Sequence, residues 1–294
     1  MNSQDQIIKI QKTANTLYDL RDHSDVKYCK EISDFLIEKS GGNEGSRIST
    51  ENFSAFVVSR FTTTHRFIEL MAQRLGKELQ IVELGSGFTP HFLNLNYEIG
   101  KYIEIDLEVN SKLKKEITRK LRERDGEIFI AGDILTQDVW NEVGNNIDLS
   151  KPVIIFSEGV VAQYFTTEQK EKIASLSRAF LQTNGSCFVV DDTLRNHSEL
   201  HDNPIIQEGM SRIVAESGSK VYKSETSTFE SEIDKWNKLF NNTIYTVDYV
   251  PSKPEMDFAL RSYKLTVCMN DQNRELESVL LELSKQNKNN RTWK

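Results

Sequence analysis

Residues Ile81-Val82-Glu83-Leu84-Gly85-Ser86-Gly87 constrain the fold more than any other stretch, because an apolar run ends in an acid and then two glycines. A second apolar run, Tyr102-Ile103-Glu104-Ile105-Asp106, follows and also ends in acids. A strand, a glycine turn and a second strand tipped with carboxylate describe a nucleoside pocket. The glycines let backbone approach a ligand closely, and the acid accepts from ribose hydroxyls. A dinucleotide fingerprint adds a third glycine inside the following helix. Here Gly85-x-Gly87 runs into Phe88, Thr89, Pro90 and His91, so that glycine is missing. Pro90 also interrupts the helix start on which a pyrophosphate docks. The turn fits a nucleoside without phosphates.

Around this turn the pattern alternates. Apolar runs predict strands at 80–84, 101–105, 127–131, 152–157, 186–191, 244–249 and 263–269. Helical periodicity marks 108–124, 136–143 and 166–182, and a longer stretch from 50 to 75. β-Branched runs buried on both faces imply an α/β chain with a seven-stranded, doubly wound, Rossmann-like sheet. The last two strands are joined through Pro251, Ser252, Lys253 and Pro254, with no room for a crossover helix, so the final strand is expected to be antiparallel. The expected organisation is an N-terminal helical segment (1–76) covering the site and a core (77–270) with a cap insertion at 194–228. Residues 271–294 should form a C-terminal helix and a disordered polar tail from Lys285.

Length and charge limit the partners. A chain of 294 residues can bury a sizeable core. Its net charge is 37 − 44 = −7, without a long Lys/Arg cluster, which argues against nucleic acid as the main partner. No apolar run approaches the ~20 residues needed to span a bilayer, and no membrane partner is expected. Met1-Asn2-Ser3-Gln4-Asp5 lacks the profile of a signal peptide, and Cys29, Cys187 and Cys268 are widely spaced without a CxxC pair. A cytoplasmic protein with reduced thiols is expected. The sequence is silent on oligomeric state.

In an open α/β sheet, ligands sit beyond the carboxyl ends of the strands. Those ends carry Glu83, Glu104 with Asp106, Asp133, Glu158, and Asp191 with Asp192. Carboxylates gathered at one crevice suit hydroxyls, an ammonium and a sulfonium. S-adenosylmethionine carries all three, and it is the expected cofactor. Its own carboxylate requires a cation, for which Arg60 and Arg66 both lie on the helix before the first strand. Spacing alone leaves the two open. Candidate catalytic bases lie past the fifth strand, where His197 and His201 are i and i+4, with Glu199 between them. The same spacing could hold a metal, but no third ligand has diagnostic spacing, and no metal site is assigned.

Taken together, Arg60, Gly85-Ser86-Gly87, Tyr102 to Asp106, Gly132-Asp133-Ile134 and Ser157-Glu158-Gly159-Val160-Val161-x-x-Tyr164 resemble the leucine carboxyl methyltransferase family, over about residues 15 to 270. Its bacterial branch is linked to polyketide O-methylation. The resemblance implies that Arg60, 85 − 60 = 25 residues before the first glycine, pairs with the cofactor carboxylate. It further implies that Gly85 packs on the methionine portion and Asp106 takes the ribose hydroxyls. Asp133 would accept from the adenine amino group, Ile134 would add a backbone contact, and Glu158 would face the methionine ammonium. Glu83, Gly87, Glu104 and Tyr164 complete the expected cofactor-binding set. The chain departs from the family at Thr89-Pro90-His91, where Asp-Thr/Ser-Arg is common.

The expected activity is S-adenosylmethionine-dependent O-methylation of a carboxylate or hydroxyl of a small molecule, such as a polyketide or other natural product. A protein C-terminal carboxylate is the alternative acceptor. A nicotinamide oxidoreductase and a non-catalytic cofactor-binding module rank lower, the first because of Pro90 and the missing third glycine.

Overall fold

The computed structural model describes residues 17, 20–21, 26–40, 51–122, 125–161, 165–194, 229–240, 243–249, 263–269 and 273–289. Helix α1 (Cys29–Lys39) and the 25-residue helix α2 (Glu51–Leu75) precede the first strand. The strands are β1 (Gln80–Leu84), β2 (Lys101–Asp106), β3 (Glu127–Ala131), β4 (Val153–Ser157), β5 (Cys187–Leu194), β6 (Thr243–Asp248) and β7 (Tyr263–Met269). Between them lie a four-residue helix α3 (His91–Asn94), α4 (Glu108–Leu121), α5 (Gln137–Asn146), α6 (Thr167–Ser177) and α7 (Phe229–Phe240). Helix α8 (Arg274–Asn289) follows the sheet.

The seven strands form one sheet in the order β3-β2-β1-β4-β5-β7-β6. β1 to β5 are parallel, and β7 runs antiparallel to both β5 and β6. Strand order reverses between β1 and β4, so the crevice between their carboxyl ends is the switch point at which such sheets bind ligands. Every residue of β1 and β4 is buried, as expected for central parallel strands covered on both faces.

Alternation along the strands assigns each face. Ile81, Tyr102, Ile154, Phe156 and Val189 share one core with Phe61, Phe67 and Met71 of α2 and Leu276, Val279 and Leu283 of α8. Val82, Ile103, Ile155 and Val190 share the opposite core with Trp140 of α5, Ile173 of α6 and Trp236 of α7. The period of two then carries Glu83, Glu104, Glu158 and Asp191 to the α2 face.

The C-terminal helix is longer than the sequence suggests. Expected to give way to a disordered tail at Lys285, it continues to Asn289, with Gln286 Nε2–H donating to Glu282 Oε1 at 3.1 Å. Lysine and glutamine are good helix formers, so the helix continues past its last apolar residue, Leu283. No helix of the described residues is long and apolar enough to cross a membrane.

Candidate active site

The glycine turn leaves β1 through backbone conformations that side chains resist. Gly85 has φ +66°, and a Cβ there would lie 2.8 Å from Val160 Cγ2. Its N–H and that of Ser86 both donate to the Ile105 carbonyl, which anchors the turn to β2. Gly87 N–H donates to Asp106 Oδ2 at 2.7 Å, while Asp106 Oδ1 accepts from Leu107 N–H and Asn110 Nδ2. An ionised carboxylate offers about four acceptor positions. The described residues fill three on Asp106, so among them a fourth, on Oδ2, is open to a ligand hydroxyl.

Beyond β4 lies a buried charged cluster. Glu158 is fixed at the strand end, and the next residue, Gly159, has φ +68° and packs so closely that a Cβ would lie 3.0 Å from Arg60 Nη2. Arg60, carried by α2, places its Nε 3.6 Å from Glu158 Oε1 and 3.4 Å from Asp191 Oδ2. Both Asp191 oxygens accept from Gly159 N–H. The β5–β7 register shifts immediately past Val190, a device that reshapes strands beside functional sites. Glu158 Oε2 is held at 2.8 Å by His91 Nε2. Burial pushes the Glu158 carboxyl up, but His91 and Arg60 outweigh it and hold it below the usual carboxylate range.

Glu83 and Glu104, expected in the cofactor-binding set, both meet protein partners in the structure. They are register partners on β1 and β2 and are almost fully buried under α4. Glu83 accepts from Tyr102 Oη at 2.8 Å and Thr89 Oγ1 at 3.2 Å, and Glu104 pairs with Lys114 of α4. Lys114 also donates to the Ser86 carbonyl at 3.2 Å, so this network braces the glycine turn from beneath. Burial pushes Glu104 up to about 7 against the pull of Lys114, with Glu83 adding to the rise. Lys114 is held above its ordinary value because the two acids outweigh its burial.

At the end of β3, Asp133 is exposed, and its Oδ1 accepts from Leu135 N–H at 2.9 Å. The Ile134 carbonyl accepts from Trp140 Nε1–H at 2.8 Å. Of the two arginines that spacing leaves open on α2, Arg60 meets two of these acids. His197, His201 and Tyr164 lie outside the described residues. No group of three His, Cys, Asp or Glu among the described residues could hold a metal ion. His91 is the residue that sequence reasoning passed over. Its one signal was the Thr89-Pro90-His91 departure.

A family model described as leucine carboxyl methyltransferase matches residues 13–177, more than half of the chain. The chain belongs to the leucine carboxyl methyltransferase family. It is an S-adenosylmethionine-dependent methyltransferase. Among solved structures, it superposes with a TM-score of 0.58 on a protein of Thermobifida fusca YX assigned as a methyltransferase. Identity is 13%, over 88% of this chain and 94% of that one, a likeness that shows the fold. An O-methyltransferase family protein from Burkholderia thailandensis matches at a TM-score of 0.49 and 9% identity, covering 89% of this chain and 72% of that one. No curated protein sequence matches the chain.

Proposed function

We propose that this methyltransferase holds S-adenosylmethionine across the β1–β4 switch point and methylates a carboxylate or hydroxyl oxygen of a small molecule. One observation carries the cofactor placement. Glu158 Oε1 is buried, accepts no hydrogen bond among the described residues and sits beside Arg60 at the strand ends. A buried acceptor left without a hydrogen bond costs about 1–3 kcal/mol, and an ammonium group would supply that donor beside the Arg60 ion pair. In this reading Glu158 meets the methionine ammonium, Arg60 the methionine carboxylate and Asp106 the ribose. Asp133 takes the adenine amino group, and the Gly85–Gly87 turn lies along the methionine.

When bound, S-adenosylmethionine supplies a methyl group on a sulfonium, which needs alignment with the acceptor more than acid–base help. The protein contributes position: a braced turn, fixed carboxylates and a guanidinium clamped by two acids. Such positioning can lower a barrier by about 7–11 kcal/mol. A carboxylate acceptor needs no base, whereas a hydroxyl would use one, and His197 and His201 remain the proposed bases.

The small-molecule reading is supported by the net charge of −7 and the lack of a Lys/Arg cluster to receive a peptide carboxylate. The family match itself favours the second reading, a protein C-terminal carboxylate. Incubation of a cell extract with the enzyme and methyl-labelled S-adenosylmethionine separates the two. The proposal expects label in the solvent-extractable fraction, and label confined to a polypeptide band would overturn it in favour of the second reading.

A further inference from the structure

His91 is fully buried, yet the roles implied by the family resemblance leave it none. It begins the short helix α3, immediately after the glycine turn and Pro90. Phe61 of α2 stacks on its ring at 4.3 Å, and Phe156 of β4 meets it edge-on at 5.4 Å. These rings fix the imidazole plane. His91 Nε2 lies 2.8 Å from Glu158 Oε2, and Nδ1 lies 3.4 Å from His65 Nδ1. An ionised carboxylate can only accept, so Nε2 carries the proton and donates it. Arg60, with Asp191 behind it, approaches the other Glu158 oxygen from α2.

The two oxygens of Glu158 are therefore not equivalent. Oε2 has a 2.8 Å anchor supplied from the residue just past the glycine turn, while Oε1 is buried and accepts no hydrogen bond among the described residues. We propose that His91 is a positioning residue for the cofactor's ammonium group: it holds Glu158 by Oε2 and so presents Oε1 to the incoming cation. This rests on the placement of S-adenosylmethionine proposed above. It also gives the Thr89-Pro90-His91 departure a purpose. Pro90 ends the turn, and the next residue reaches back to the end of β4, coupling the glycine turn to the acid that faces it.

A residue that merely packs the turn affects every ligand of the site alike. One that orients Glu158 affects only ligands carrying the ammonium. Calorimetry with S-adenosylhomocysteine and with 5′-methylthioadenosine, which lacks the amino acid portion, separates these roles. His91→Phe keeps the ring but removes the donor, and it should weaken S-adenosylhomocysteine binding about tenfold or more while leaving 5′-methylthioadenosine within about threefold. His91→Gln retains an N–H at similar reach and should restore most of the difference. Equal losses for both ligands, or no loss for either, would overturn the proposal. Should His91→Phe fail to fold, Glu158→Gln is read in the same way, and the same ligand split is expected. If the unsubstituted protein binds 5′-methylthioadenosine but not S-adenosylhomocysteine, the ammonium site is wrong and the nucleoside site stands. If it binds neither, the cofactor placement itself fails, and this proposal with it.

Discussion

Gly87 N–H donates to Asp106 Oδ2 over 2.7 Å, so the glycine turn is tied to the end of β2 by the same carboxylate proposed to receive the ribose. The acid therefore has two tasks, one in the protein and one toward the ligand. Asp106→Ala should weaken S-adenosylhomocysteine binding by about 1–3 kcal/mol, measured by calorimetry. It should also release the Gly87 amide, seen as faster hydrogen exchange without ligand. Unchanged exchange at Gly87 would separate the turn from Asp106.

Arg60 is the shared cation of Glu158 and Asp191, and all three are buried. Removing one member of a buried ionic group leaves uncompensated charge. Arg60→Ala should therefore cost about 3–5 kcal/mol of stability in urea unfolding without ligand. A loss under about 1 kcal/mol, the value of an exposed ion pair, would contradict the buried cluster.

Gly85 combines φ +66° with a clash awaiting any Cβ, 2.8 Å from Val160 Cγ2. Gly85→Ala should destabilise by about 1–3 kcal/mol through backbone strain and overpacking. Adding Val160→Ala should recover the steric part and leave the backbone part. Strict additivity of the two substitutions in a thermal-unfolding cycle would argue that they do not touch.

Glu104 provides a pH test. Its carboxyl is raised from an ordinary 4.5 to about 7 in the folded chain, chiefly by burial. A raised acid binds its proton more tightly when folded, so its stabilising contribution is complete below about 4.5 and is lost as pH rises through about 7. His65 acts oppositely. Burial first and His91 second lower it from 6.5 to about 3, so its share of stability is present above 6.5 and is lost as pH falls toward about 3. Comparison with Glu104→Gln cancels the His65 contribution. The stability of the unsubstituted protein relative to that variant should fall between pH 4.5 and 7, and a flat difference would refute the raised carboxyl.

Much of this arrangement is legible in the residues themselves. The runs at 81–84, 102–106 and 153–157 are apolar enough to be central parallel strands and short enough not to be helices, and their ends mark the crevice. Arg60 emerged only through the family spacing, because a helix charge does not by itself reveal whether it faces solvent or a buried acid. Depth was the less legible part. Glu83 and Glu104 stand near strand ends like Asp106 and Glu158, but register places them beside each other beneath α4, where Tyr102 and Lys114 meet them. That partnership depends on how α4 lies over the sheet, which local sequence does not encode. His91 was hidden for a related reason. Its partner Glu158 is 67 positions away and comes within reach only because β1 and β4 are neighbours.

The central claim is that the strand ends of β1, β2 and β4 bind S-adenosylmethionine through the contacts named above. Calorimetric titration of the unsubstituted protein with S-adenosylhomocysteine tests it most directly. Saturable binding at one site per chain is predicted, and it should be weakened by Asp106→Ala. No detectable binding at millimolar ligand would contradict the account.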